Sequence, residues 1–241
     1  MKKKYFLISF FLIGLILFTI SKCKKEPEQV PVEPAKWQVL GVDVSQYQEN
    51  IDWLALASQK NYKVKFAIIR STMGDDRIDS KFEKNFSEAQ VAGLIVGSYH
   101  YYDPNEPSTE QAWNYLKNSR QRENKIIPII DIESLGKTQS VDNLFKGLKN
   151  CLDLVEKETG IKPMIYTGLD FFERYIEPRK EFEGYHLWLA AYSDKRADDE
   201  AVKRSCIRQF SEKIWLKGLK KRVRIDMNVI KNSDCWDHIQ R

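Results

Sequence analysis

The stretch Ile126-Ile127-Pro128-Ile129-Ile130-Asp131-Ile132-Glu133 is an apolar run of strand length that ends on two carboxylates one residue apart. Side chains alternate along a strand, so Asp131 and Glu133 share a face, roughly 6–7 Å apart, while Ile132 turns into packing. Two carboxylates in one small space resist joint ionisation, so one keeps its proton near neutral pH beside an ionised neighbour. That pairing of acid and carboxylate is the apparatus of glycosidic-bond cleavage. Taken alone, Asp-x-Glu also fits a strand end that meets solvent with acidic residues.

The pattern recurs. Val39-Leu40-Gly41-Val42 leads into Asp43, and Val223-Arg224-Ile225 leads into Asp226, so three apolar segments each deliver a carboxylate at the carboxyl end. In a parallel barrel such ends converge on one face, where sites are assembled from several strands. Strand-length runs at 39–44, 66–71, 95–101, 126–132, 164–167, 187–191 and 207–210 are separated by helical patterns at 81–92, 109–118 and 141–159. Ser108 and Gln111 are spaced as a capping box for the second helix, and Gly160 closes the third. The alternation predicts an α/β chain with a parallel sheet and helices outside. The last strands leave little room for helices between them, so the final third should be irregular. Residues 213–224, rich in Lys and Arg, read as a solvated hairpin or loop.

Gly41-Val42-Asp43-Val44-Ser45-Gln46-Tyr47-Gln48, Ile51-Asp52-Trp53, Phe66-Ala67-Ile68-Ile69-Arg70 and Ala92-Gly93-Leu94-Ile95-Val96-Gly97-Ser98-Tyr99-His100-Tyr101 resemble the opening blocks of glycoside hydrolase family 25. Asp131-Ile132-Glu133, Pro163-Met164-Ile165-Tyr166-Thr167, Leu187-Trp188-Leu189-Ala190-Ala191-Tyr192, Gln209-Phe210-Ser211 and Ile225-Asp226-Met227-Asn228-Val229 follow in the family's order. The resemblance implies a single irregular, flattened (β/α) TIM-like barrel and an N-acetylmuramidase. Such an enzyme cuts the β-1,4 bond of peptidoglycan between N-acetylmuramic acid and N-acetylglucosamine, with retention. It makes Glu133 the general acid and Asp131 its partner, either by direct carboxylate attack or by orienting the substrate's own N-acetyl group. Asp43 and Asp226 complete the acidic floor, and Arg70 orients Asp43 or contacts glycan. Tyr99, Tyr101, Tyr166, Trp188 and Tyr192 offer flat surfaces for sugar rings, one or two of them being packing residues instead, and Gln209 joins the substrate-binding set. Met73 and Arg208 stand where the family usually has Glu and Trp, which alters the rim of the groove.

With 241 residues and 42% hydrophobic content, the chain can bury one catalytic domain, expected over 38–241. Residues 1–22, with Lys2-Lys3-Lys4 and an apolar stretch from Tyr5 to Ile20, read as an export signal. Cys23 then suggests lipidation, with an uncleaved membrane anchor as the alternative, and the Pro-rich segment 23–37 reads as a tether. The expected location is the bacterial cell envelope, exported and membrane-anchored. Residues 1–22 carry four lysines and no acid, so their removal takes away four of the five net positive charges. Nucleic-acid binding then has no compositional support. His100, His186 and His238 show no ligand spacing, so neither metal nor cofactor is expected, and His100 should be buried and hydrogen-bonded. Cys151 falls on the apolar stripe of a helix, whereas Cys206 and Cys235 are free to pair. The expected partners are peptidoglycan glycan strands, acted on by a monomer. The rival readings are a glycan-binding surface lipoprotein without activity and a hydrolase of another N-acetylhexosamine polymer.

Overall fold

The computed structural model describes residues 38–48, 50–59, 63–215 and 224–241. The expected export signal, Cys23, the tether and the tip of the basic run lie outside the described residues. In chain order the elements are β1 (Val39–Val44), α1 (Trp53–Ala57), β2 (Val64–Met73), β3 (Arg77–Ile78), α2 (Phe82–Val91), β4 (Ile95–Tyr101), α3 (Ser108–Asn118), β5 (Ile129–Asp131), α4 (Val141–Thr159), β6 (Met164–Gly168), α5 (Leu169–Phe171), β7 (His186–Ala190), α6 (Glu200–Arg204), β8 (Ile207–Trp215), β9 (Arg224–Ile230) and α7 (Ser233–Ile239).

Strand neighbours run β1-β9-β8-β7-β6-β5-β4-β2, and β1 pairs back onto β2, closing an eight-stranded barrel, while β3 forms a hairpin on the end of β2. The pairings from β1 through β2, β4, β5, β6 and β7 to β8 are parallel. The closing strand β9 is antiparallel to both β8 and β1. The architecture is therefore an α/β barrel of mixed direction, irregular in its final third because β8 and β9 follow one another in the chain and pair antiparallel.

Alternation along the strands sorts the core into shells. Phe66, Ile68, Tyr99, Ile129, Met164, Tyr166, Trp188, Ile207 and Ile230 cluster together, filling the barrel from seven strands. Val42, Val44, Ala67 and Ile69 turn the other way, onto α1 and α2, and Ile130, Ile165, Leu187 and Leu189 pack under α3 and α4. Gly41 is required by this filling, since a Cβ there would lie 2.3 Å from the Phe66 ring. Helix α4 buries Leu144, Phe145, Leu148, Cys151, Leu152 and Val155 on one stripe; Ser140 caps its start and Gly160, left-handed at φ 71°, ends it.

The capping box expected at Ser108 does not form. Gln111 is buried instead: its carbonyl accepts from the Asp103 amide (2.8 Å) and its amide donates to the Asp103 and Glu106 carbonyls, folding the loop before α3. His100 is buried, with Nδ1 at 2.8 Å from the Thr72 hydroxyl, and burial lowers its pKa to about 4. Cys206 and Cys235 form a disulfide, and Cys151 is a buried thiol. That disulfide ties the start of β8 to α7, whose last turn bonds back to the segment before β5 through Ile127 N–H to the Ile239 carbonyl (2.9 Å). The end of the barrel opposite the carboxylates is closed in this way. Among the described residues, no helix is long and apolar enough to cross a membrane.

Candidate active site

Asp43 lies near the end of β1 and Asp131 ends β5. Pairing continues beyond β5: Ile132 N–H donates to the Tyr166 carbonyl (3.0 Å) and Tyr102 N–H to the Asp131 carbonyl (2.8 Å). The extended backbone keeps Asp131 and Glu133 on one side while Ile132 is buried under the helices. Asp226 reaches the same rim by a different route from the one its sequence suggested. It is the third residue of β9, not a carboxyl-terminal residue, and the antiparallel register sets it directly opposite Asp43.

Asp43 is the hub. Its Oδ2 accepts from the Gln209 amide (2.8 Å) and the Asn228 amide (2.7 Å). Trp188 Nε1 donates to the Asn228 carbonyl (2.8 Å), and the Tyr166 and Tyr192 hydroxyls donate to the Gln209 carbonyl (2.9 and 2.8 Å). An indole N–H can only donate, so the orientation of Asn228 is fixed and every bond in the network points toward Asp43. Asn228 is the residue that sequence reasoning left out of the site. Its signals were its place two residues after Asp226, on the same strand face, and within the block Ile225-Asp226-Met227-Asn228-Val229.

Burial pushes Asp43 up to about 6, with the two amides pulling the other way. Asp226 is half-buried and rises to about 8, from desolvation first and the Asp43 charge second. Asp131 is buried and held well above the ordinary carboxylate range by desolvation, then by Glu133 and Asp43. Glu133 stands open at the rim, and its pKa is raised by partial desolvation and by Asp43. Both Asp131 and Glu133 are thus raised by desolvation and by their acidic neighbours, so the cluster as a whole retains a proton above the ordinary carboxylate range. Asp131 Oδ1 is buried without a hydrogen-bond partner among the described residues.

The aromatic residues divide. Trp188 is 1% exposed, and its ring packs against Tyr166 (4.4 Å between centroids) and edge-on to Tyr99 (6.2 Å). These three are buried and form the floor under the acids, one more than the one or two packing residues expected among the five aromatics. Tyr101 is half-buried and Tyr192 is 47% exposed, so their rings remain accessible. Arg70 pairs with Asp79 (Nε to Oδ2, 2.9 Å), not with Asp43, although its charge still lowers Asp131. Met73 faces Tyr101 in the register at the rim. Arg208 points away from the barrel interior, where its buried guanidinium donates to the Ala191 (2.8 Å) and Ser193 (3.3 Å) carbonyls. A separate cavity on that outer face, lined by Val202, Ser205, Arg208, Val229 and Lys231, is not lined by any of the four acids. Among the described residues, no group of three His, Cys, Asp or Glu side chains is arranged to hold a metal.

A barrel with clustered acids at one rim is the architecture of many glycosidases, and the comparisons make the class specific. The model of glycosyl hydrolases family 25 matches residues 42–219, and the chain belongs to that family. It is 33% identical to YegX of Escherichia coli over 171 residues, covering 70% of this chain and 62% of YegX. The chain thus spans under two thirds of the length of that relative. Lysozyme M1 of Streptomyces globisporus is 37% identical over 112 residues, 44% of this chain and 37% of that protein. Among solved structures, a family 25 glycosyl hydrolase from Bacillus anthracis superposes with a TM-score of 0.74 at 24% identity, covering 90% of this chain and 100% of the other. A family 25 lysozyme from Aspergillus fumigatus gives 0.68 at 25% identity, covering 81% and 95%.

Proposed function

We propose that this chain is a peptidoglycan hydrolase of the N-acetylmuramidase type, cleaving the β-1,4 bond between N-acetylmuramic acid and N-acetylglucosamine with retention. The observation that carries this reading is the meeting of Asp43, Asp131, Glu133 and Asp226 at one rim of a family 25 barrel. Relatives named as Lysozyme M1 and N,O-diacetylmuramidase support the substrate class.

Glu133 is assigned the general acid because it is exposed at the rim, where a glycosidic oxygen can reach its proton, and its pKa is raised by desolvation and by Asp43. The acetamido carbonyl oxygen attacks the anomeric carbon as the leaving oxygen takes the Glu133 proton. Asp131 accepts the acetamido N–H, for which its unpartnered buried oxygen is suited, and stabilises the cyclic cation. Glu133, now ionised, takes a proton from water as that water opens the ring from the leaving-group side, giving net retention. Asp43 and Asp226 set the charge of the pair and hold the sugar. The export signal, lipidation at Cys23 and attachment to the envelope, with the chain acting as a monomer, belong to the same proposal and rest on the sequence.

Reducing-end analysis of digested peptidoglycan tests it. New muramic acid ends are expected, lost in Glu133→Gln at an unchanged thermal midpoint. New glucosamine ends would make the chain a glucosaminidase, and binding without new ends would make it a glycan-binding protein.

A further inference from the structure

The most exposed tyrosine described near the rim is one that the proposed chemistry does not use. Tyr47 sits in the short turn of residues 46–48 just after β1 and is 73% exposed. Its ring is not loosely held. The Arg70 guanidinium lies over it, 5.0 Å from the centroid, and Arg70 is itself fixed by its buried pair with Asp79. The backbone is braced as well: Gln46 N–H donates to Asp79 Oδ2 (2.8 Å), and the Gln46 side-chain carbonyl accepts from the Ser80 amide and hydroxyl. Asp79 also accepts from Lys81 N–H (3.0 Å), so one buried carboxylate anchors both Arg70 and the turn.

A cation covers part of the ring while most of it is left to water, on a turn that cannot collapse onto the core. Exposing a large aromatic gains nothing for folding; a preorganised flat surface is what a sugar ring needs for stacking, since little ordering remains to be done on binding. Arg70 connects this platform to the acids, because its guanidinium lies over Tyr47 while its charge lowers Asp131. Tyr192, also well exposed, follows β7 on the same rim and is tied through Gln209 to Asp43.

We infer that Tyr47, held by the Arg70–Asp79 pair, is the stacking platform of a distal subsite for an N-acetylhexosamine unit, making the chain selective for long glycan strands over short ones. The inference rests on the proposed activity but is read separately from it. Peptide-free peptidoglycan strands and a tetrasaccharide of the same repeat serve as substrates for wild type, Tyr47→Ala and Tyr47→Trp. Tyr47→Ala should narrow the long-over-short ratio in kcat/KM by about fivefold to tenfold, through KM, and Tyr47→Trp should preserve it. An unchanged ratio, or equal loss on both substrates, overturns the inference. Affinity of Glu133→Gln for the long strands, with and without Tyr47→Ala, gives the same answer without turnover: a weakening of similar size is expected, and equal affinity overturns it. Absence of new muramic acid ends with wild type would defeat the proposed activity while leaving the binding measurement decisive for Tyr47.

Discussion

Asp226 carries a cost that a surface aspartate would not. Its pKa rises from 3.8 to about 8, so between those values the folded state holds a proton that the unfolded chain has released. Stability then falls as pH rises through that window, since the unfolded state binds fewer protons. Asparagine cannot ionise and escapes the penalty. Asp226→Asn is therefore expected to have a higher thermal midpoint than wild type, by a margin that widens from pH 5 to pH 8, alongside reduced turnover. Calorimetry across that range checks it; a margin that shrinks with pH would remove Asp226 from the coupled cluster. This exchange of stability for a perturbed group is common at functional sites. The carboxylates themselves were legible in the sequence, as acids ending apolar runs. The donors that set them were less so, because nothing local marks Asn228 as the residue bridging Trp188 and Asp43.

At the level of elements, β7 and β8 act as a clamp on the segment that bears Tyr192. Gln209 holds the Tyr192 hydroxyl from inside the barrel, while Arg208, its neighbour on the opposite strand face, grips the Ala191 and Ser193 carbonyls from outside. Arg208→Met removes those donors and takes from the buried Ala191 carbonyl its Arg208 bond, while Ser193 keeps the Arg196 N–H, a loss of about 1–3 kcal/mol. The expected result is a thermal midpoint lower by several degrees and a KM for glycan raised severalfold with kcat little changed. Arg208→Lys should restore only part of this, lacking the planar fork. Steady-state kinetics decide: an unchanged KM would mean that the loop holds Tyr192 without Arg208. Sequence reading noticed Arg208 only as a departure from the family pattern, since its partners are backbone carbonyls that no side-chain motif reveals. Gln111 makes the complementary point. Its spacing from Ser108 fits a capping box, but the loop at 103–106 offers three backbone groups that outcompete the cap.

For the whole molecule, the alternation of strands and helices predicted the barrel, and the order of the strand-end carboxylates predicted one acidic rim. Direction was the part not visible. A strand reads alike whichever way it runs, so the antiparallel closure by β9, and the arrival of Asp226 from the amino-terminal half of its strand, emerge only when β1 pairs with β9. Burial was hidden for a related reason: Trp188, Tyr166 and Tyr99 sit at strand ends as platform residues would, yet the narrow interior consumes their faces. The central claim is that these strand ends gather their carboxylates into one electrostatically coupled group. Asp43 raises Glu133, second only to desolvation, so its charge should be readable in the pH dependence of catalysis. A bell-shaped kcat/KM profile is expected for wild type, with a mildly acidic optimum and an alkaline limb reporting loss of the last proton from the cluster. The most direct measurement is that profile in Asp43→Asn. Removing the negative neighbour makes Glu133 easier to ionise, so the alkaline limb should move to lower pH; a limb that stays in place or moves upward would contradict the coupling and the shared cavity with it.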